Sequence, residues 1–178
     1  MAAFPEPVLM TVEEFDQLPD REDVKLELHW GSLVELSRPK PWHIKLQLRI
    51  FELLKERSGP KWAVVIELPF RALPQYDFRA ADVGVIAKDR WDAVGRGDVH
   101  GSPEIVIEIL SPSNRRGEIA ERASLFLSTG TQQFCIVDET RKIVRVTGPG
   151  SKTIAYSSGQ EVPFPLLGAS LSVDEIFA

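Results

Sequence analysis

Two carboxylates stand where chemistry is most easily done. Asp82 opens an apolar segment, and Glu108 lies inside the run Ile105-Val106-Ile107-Glu108-Ile109-Leu110. They are 108 − 82 = 26 residues apart, about what two adjacent strands and their connection require. A lone carboxylate inside such an apolar run is costly to bury, so Glu108 needs a cation, a set of donors or a metal. Two carboxylates converging at strand ends form a hard-oxygen pair suited to Mg²⁺ or Mn²⁺. Such an ion can polarise a phosphoryl oxygen. The competing arrangement has Asp82 capping a strand and Glu108 paired with a buried arginine, since ion pairs also perturb buried carboxylates.

The elements that must position this pair are legible from patterning. Thr11 with Glu14 forms a capping box at the head of a short helix over 11–18. Lys25–Leu28 and Ser32–Leu36 alternate around Trp30-Gly31 and predict a hairpin, with Lys25, Glu27 and His29 on one face and Leu26 and Leu28 on the other. A helix follows from about Trp42 to Arg57. At 100° per residue, Ile44, Leu46, Leu48, Ile50, Phe51, Leu53 and Leu54 form its broad apolar face, while Lys45, Arg49, Glu52 and Glu56 lie opposite in solvent. His43 and Gln47 fall in the middle of the apolar face, one turn apart.

Strands are predicted over Trp62–Leu68, Asp82–Ile86 and Glu104–Leu110 from their Val and Ile content. The last is apolar on both parities, so it belongs at the centre of a sheet covered on both faces. A helix from about Glu118 to Ser128 closes at Gly130. It is followed by a strand over Phe134–Asp138, a turn at Glu139-Thr140, an edge strand over Lys142–Val146 and a final short helix over Val173–Phe177. The order is that of an α/β domain with a mixed β-sheet flanked by helices and an N-terminal β-hairpin extension. We expect one domain over 1–178.

Beyond these patterns, the chain resembles a known family. The residues that carry the likeness are Lys25-Leu26-Glu27-Leu28 with Gly31-Ser32-Leu33-Val34, then His43, then Ala81-Asp82-Val83-Gly84-Val85. They continue through Pro103-Glu104-Ile105-Val106-Ile107-Glu108-Ile109-Leu110-Ser111-Pro112-Ser113, Glu121-Arg122, Phe126, Gly130 and Gln133–Asp138. This series is similar to the Uma-type family of bacterial restriction-endonuclease-like proteins in the PD-(D/E)XK superfamily. The likeness spans roughly residues 11 to 147, and Glu-x-Leu-Ser-Pro-Ser is its most specific element.

The resemblance implies a restriction-endonuclease-like core and a divalent-metal-dependent endonuclease acting on DNA. It implies Asp82 and Glu108 as metal ligands, the backbone carbonyl of Ile109 as a further ligand, and Mg²⁺ or Mn²⁺ as the cofactor. Glu27 and His43 match positions that recur in the family and join the candidate site. Two departures stand out. The lysine usual two residues after the glutamate is Leu110 here, and the position of the family's helical lysine is Arg122. On its helix Arg122 lies between Leu125 and Phe126, at the rim of the buried face. An arginine there keeps its charge and can hold a phosphate at two points, but it cannot act as a neutral base. These departures support an alternative, a catalytically impaired nuclease fold serving as a binding or interaction module.

The remaining features narrow the field. The net charge is −5, so nucleic-acid contact must come from a local patch rather than a basic surface. Lys40, Lys45, Arg49, Arg79, Arg115 and Arg116 are the candidates for that patch. Glu67 is a further carboxylate in an apolar strand, but a place at the sheet edge would leave it solvated, and it is not carried into the site. There is no phosphate-binding glycine loop, no CxxC pair and no nucleophile elbow, and His29, His43 and His100 lack zinc-ligand spacing. The single cysteine, Cys135, permits no intrachain disulfide and reads as a buried thiol. The opening MAAFPEPVLM is too short and too proline-broken for a signal peptide, and no apolar stretch has the length of a membrane span, so a cytosolic protein is expected. Cutting both strands of a duplex needs two sites, which makes a homodimer the expected assembly.

Overall fold

The computed structural model describes residues 9–19, 21–111 and 116–178; Pro112, Ser113 and Arg115 lie outside the described residues, as does the side chain of Arg116. Helix α1 spans Val12–Phe15, headed by the Thr11–Glu14 capping box. Strands β1 (Val24–His29) and β2 (Ser32–Ser37) pair as an antiparallel hairpin. Its two-residue turn, Trp30-Gly31, has φ of 52° and 76°. Both residues must be left-handed for the turn to follow the strand twist, which explains the glycine.

Helix α2 (Pro41–Arg57) leads into β3 (Trp62–Phe70), β4 (Arg79–Ala87), α3 (Lys88–Ala93), β5 (Ile105–Ile109), α4 (Arg116–Ser128), β6 (Gln133–Asp138), β7 (Ile143–Thr147) and β8 (Ile154–Tyr156). The chain ends with β9 (Glu161–Phe164), β10 (Ala169–Ser172) and α5 (Val173–Ile176). The main sheet has six strands in the order β3-β4-β5-β6-β7-β8. Only the β5–β6 pair is parallel, with α4 as its crossover. The mixed sheet flanked by helices agrees with the expected class, and β5 is interior as its two-sided apolar pattern requires.

Several boundaries differ from expectation. Lys142–Val146 was expected at the edge, but β7 is covered by β8, a strand of three residues, too short to announce itself. Asp82 lies inside β4 rather than at its start, because Arg79, Ala80 and Ala81 continue the strand upstream. Ile44 and Leu48 are exposed although they belong to the expected apolar face of α2. The buried stripe is narrower and is carried by His43, Leu46, Gln47, Ile50, Leu53 and Leu54. Arg49 is not simply solvated, because its Nε donates to the Glu175 carbonyl at 2.9 Å and ties α2 to α5.

Two apolar layers sandwich the sheet. On one face Leu46, Ile50 and Leu54 of α2 pack with Val83, Val85, Ile105, Ile107 and Ile109, joined by Phe164, Leu171 and Ile176. On the other, Leu125 and Phe126 of α4 pack with Leu68, Phe70, Ala81, Ile86 and Val106. A close approach of β3 and β4 explains Gly84. A Cβ there would lie 2.5 Å from Leu68 Cδ2, nearer than any side chain tolerates. Among the described residues no helix is long and apolar enough to cross a membrane.

The sheet holds one irregularity that matters for the site. Strand side chains alternate faces, so residues of one parity stay on one side. Yet Val64 packs on the α2 side and Leu68 on the α4 side. In the neighbouring strand, Ala81 lies on the α4 side and Val83 on the α2 side. Both strands therefore change parity between these positions. The β3–β4 ladder pairs Ile66 with Val83 and Leu68 with Ala81 but skips Glu67 and Asp82. Glu67 has a φ of 50°, a left-handed conformation that a non-glycine residue holds only when its surroundings impose it.

Candidate active site

The break in the ladder is where the acids gather. The β4–β5 register pairs Val83 with Ile107, and one further step sets Asp82 beside Glu108. Asp82 Oδ2 accepts from the Ile109 N–H at 2.7 Å, and its Oδ1 lies 3.1 Å from His43 Nε2. On the other side, Arg122 Nη2 donates to Glu108 Oε1 at 3.1 Å and to the Ala80 carbonyl at 3.0 Å. Arg122 Nη1 donates to Glu27 Oε2 at 2.9 Å. Glu27 is completed by the Ala80 N–H at 3.1 Å and by His29 Nε2 at 2.6 Å. The expected residues Asp82, Glu108, Arg122, Glu27 and His43 thus lie around one pocket of about 380 Å³, to which Ile109 also contributes.

The electrostatics follow from this arrangement. Burial would raise the Glu27 carboxyl, but the Arg122 guanidinium, with help from His29 and Lys25, overrides it and holds the group at about 2. Glu108 goes the other way, to about 7: burial dominates, Asp82 and Glu27 add repulsion, and Arg122 only partly offsets them. His43 is opposed by burial yet lifted above its usual value by its hydrogen bond and charge interaction with Asp82. Glu27 and Glu108 therefore shift in opposite directions: Glu27 has Lys25 and His29 beside it as well as the guanidinium, while Glu108 shares the guanidinium but faces two other acids.

Three residues not carried from the sequence complete the cluster. Lys25 Nζ pairs with Glu67 Oε2. Gln47 Nε2 donates to Glu67 Oε1 and to the Asp82 carbonyl, each at 2.7 Å. Alternation in the hairpin already placed Lys25 on the face of Glu27. Glu67 does lie on the edge strand and is 38% exposed, but its left-handed backbone turns it into the site rather than along the edge. That conformation costs on the order of 1–3 kcal/mol. A half-exposed ion pair stabilises by roughly 0–1 kcal/mol, so the Lys25–Glu67 pair alone does not offset the strain.

Of the basic residues expected to attract phosphate, Lys40 lines the pocket, together with Arg38 and Trp42. Lys45 and Arg49 do not. Arg79 is excluded: it is fully buried, with Nε and Nη2 bonded to Asp77 at 2.8–3.0 Å and both terminal nitrogens donating to Glu121 at 2.8 Å. It cross-links β4 to α4 and presents no charge to solvent.

The donor set suits a small, hard dication. Asp82, Glu108 and the Ile109 carbonyl offer oxygen donors, and Mg²⁺ needs only one or two carboxylates while keeping waters. Among the described residues no group of three or more His, Cys, Asp or Glu side chains is placed to hold a metal ion. Arg122 competes with such an ion for Glu108.

The comparisons with known proteins concern the family and the fold. Residues 12–177 match the model of the family Uma2, described as "Putative restriction endonuclease". The fold matches a crystal structure of a protein from Anabaena variabilis, described as a putative nuclease belonging to DUF820. The TM-score is 0.81 and the identity 22%, with 94% of this chain and 97% of that one covered. No curated protein matches the chain. Restriction-endonuclease-like nucleases usually work with divalent metal ions and act on nucleic acid. With its match running over nearly the whole length, the chain belongs to the Uma2 family.

Proposed function

We propose that this chain is a divalent-metal-dependent endonuclease that cleaves phosphodiester bonds in DNA. The observation that carries the reading is the pairing of Asp82 with Glu108 on adjacent strands at a pocket wall, with Glu108 raised to about 7. Two acids held this close repel each other, and a dication relieves that repulsion. Asp82, Glu108 and the Ile109 carbonyl would hold Mg²⁺ or Mn²⁺, which when bound supplies Lewis-acid polarisation of a phosphoryl oxygen.

The other groups prepare the site. His43 and the Ile109 N–H fix the two oxygens of Asp82. Arg122 holds Glu27 and Glu108 at a set separation and keeps Glu27 ionised. Glu27 thereby orients the arginine and reads as a positioning residue. Arg38 and Lys40 stand at the pocket's edge, where a phosphate backbone would pass. A homodimer of such sites would cut both strands of a duplex.

One observation favours a second reading. Arg122 neutralises Glu108 from within, as it would in a catalytically impaired relative that serves as a binding module. Calorimetric titration with Mg²⁺ and Mn²⁺ on the wild type and on Glu108→Ala, with plasmid nicking on the same samples, separates the two. Metal binding that disappears in the variant, together with nicking by the wild type, is expected. Metal binding without nicking on plasmid DNA would favour the module, and no metal binding by the wild type would overturn the metal site.

A further inference from the structure

We infer that Lys25, anchored by Glu67, is the cation this site presents to the substrate phosphate; the inference rests on the nuclease reading. A phosphodiester-cleaving site needs positive charge directed at oxygens on which negative charge develops. Arg122 is in the site, but both of its terminal nitrogens are committed to Glu27, Glu108 and the Ala80 carbonyl, and its side chain is only 12% exposed. Its remaining nitrogen, Nε, is buried and has no hydrogen-bond partner among the described residues. Arg38 is held at the rim by the Glu22 and Arg21 carbonyls. Lys40 is exposed at the mouth.

Lys25 differs from all of these. It lines the pocket, its side chain is 31% exposed, and its ammonium is held by one acid, Glu67. It also feels Glu27 and Asp82, which together with Glu67 keep it charged despite burial. Its position is tied to the acid pair by a chain of contacts: Lys25 to Glu67, Glu67 to Gln47, and Gln47 to the Asp82 carbonyl. The left-handed backbone of Glu67 exists at the one place in β3 where its carboxylate can complete that chain. An ammonium that turns from one carboxylate to a phosphate keeps its charge pairing throughout. Lys25 is therefore the catalytic cation, and Glu67 and Gln47 are positioning residues.

The test uses full-length protein with a short DNA duplex. In the wild type, acetylation of lysines is mapped by mass spectrometry with and without the duplex, in Ca²⁺ to prevent cleavage. Loss of Lys25 labelling on adding DNA is expected; labelling unchanged by bound DNA overturns the inference in a protein whose fold is intact. Plasmid nicking is then compared in the wild type, Lys25→Met and Lys25→Arg. We expect Lys25→Met to lower kcat by about 100-fold with unaltered calorimetric metal affinity, and Lys25→Arg to restore much of the loss. A folded Lys25→Met variant that nicks like the wild type overturns the role of Lys25 and leaves the nuclease reading standing. A wild type that neither binds the duplex nor nicks plasmid overturns the nuclease reading, and this inference with it.

Discussion

Replacing Arg122 with methionine removes the charge that pairs with both Glu27 and Glu108. Glu27 is only 2% exposed, so its carboxylate cannot be rehydrated without opening the site. Taking one partner from a buried ion pair costs about 3–5 kcal/mol because the other charge is left uncompensated. At roughly 2–4 °C per kcal/mol for a chain of this size, the variant should melt about 6–20 °C below the wild type at pH 8.

The loss should depend on pH, with a sign that can be worked out. In the wild type the Glu27 carboxyl is held at about 2, below its usual 4.5. It therefore contributes stability that is present above pH 4.5 and lost as pH falls toward 2. Without the guanidinium, burial dominates and the Glu27 carboxyl rises, so its contribution reverses. The folded variant then takes up protons that the unfolded chain releases, and it regains stability as pH falls from 8 toward 5. Glu108, at about 7 in the wild type, already loses stability as pH rises from 4.5 through 7, and the substitution steepens that loss. The gap in melting temperature should therefore narrow on acidification, as read by differential scanning calorimetry at matched ionic strength. A variant that melts within about 2 °C of the wild type at pH 8, or a gap that stays constant with pH, would show that the guanidinium does not hold these acids.

Two further outcomes follow from the same geometry. His43 should titrate above 6.5 by NMR, since burial is outweighed by its hydrogen bond and charge interaction with Asp82 together with the charges of Glu67 and Glu108; its stabilising contribution is present below 6.5 and fades as pH rises through the raised value. Asp82→Asn should bring that titration down, and an unmoved titration would break the link. Cys135, whose thiol is pushed up to about 12 by burial, should resist iodoacetamide at pH 8 in the folded state and react fully in denaturant. Rapid modification of the native protein would contradict the packing.

What the sequence reveals and what it hides divide along physical lines. The two-sided apolar run of β5 places Glu108 at the sheet centre, and the 26-residue interval puts Asp82 on the neighbouring strand. The helical period puts His43 and Gln47 on the inward stripe of α2, where both meet β4. All of this rests on regular periodicity. The rest depends on where periodicity fails. Glu67 looks like a solvated edge residue because alternation cannot foresee a left-handed residue within a strand. Arg79 looks like a surface charge because its partners are Asp77, two residues away, and Glu121, 42 residues away, and only the folded chain brings them together. Ile44 and Leu48 satisfy the wheel but not the packing: the stripe that faces the sheet is narrower than the wheel suggests, and both lie outside it, exposed.

The hairpin β1–β2 is not part of the main sheet, and it meets the rest of the fold through the Leu28–Phe78 bridge and through side chains of the site itself. Glu27 reaches Arg122, Lys25 reaches Glu67, and Trp30 reaches Glu121. The pocket is therefore walled on one side by an appendage rather than by the sheet, and seating that appendage and assembling the charges are a single equilibrium. A molecule bound among these charges stabilises the seated form by mass action. Its presence should register as slower hydrogen exchange at the Leu28 and Phe78 amides, which bond to each other's carbonyls where the hairpin joins the rest of the fold.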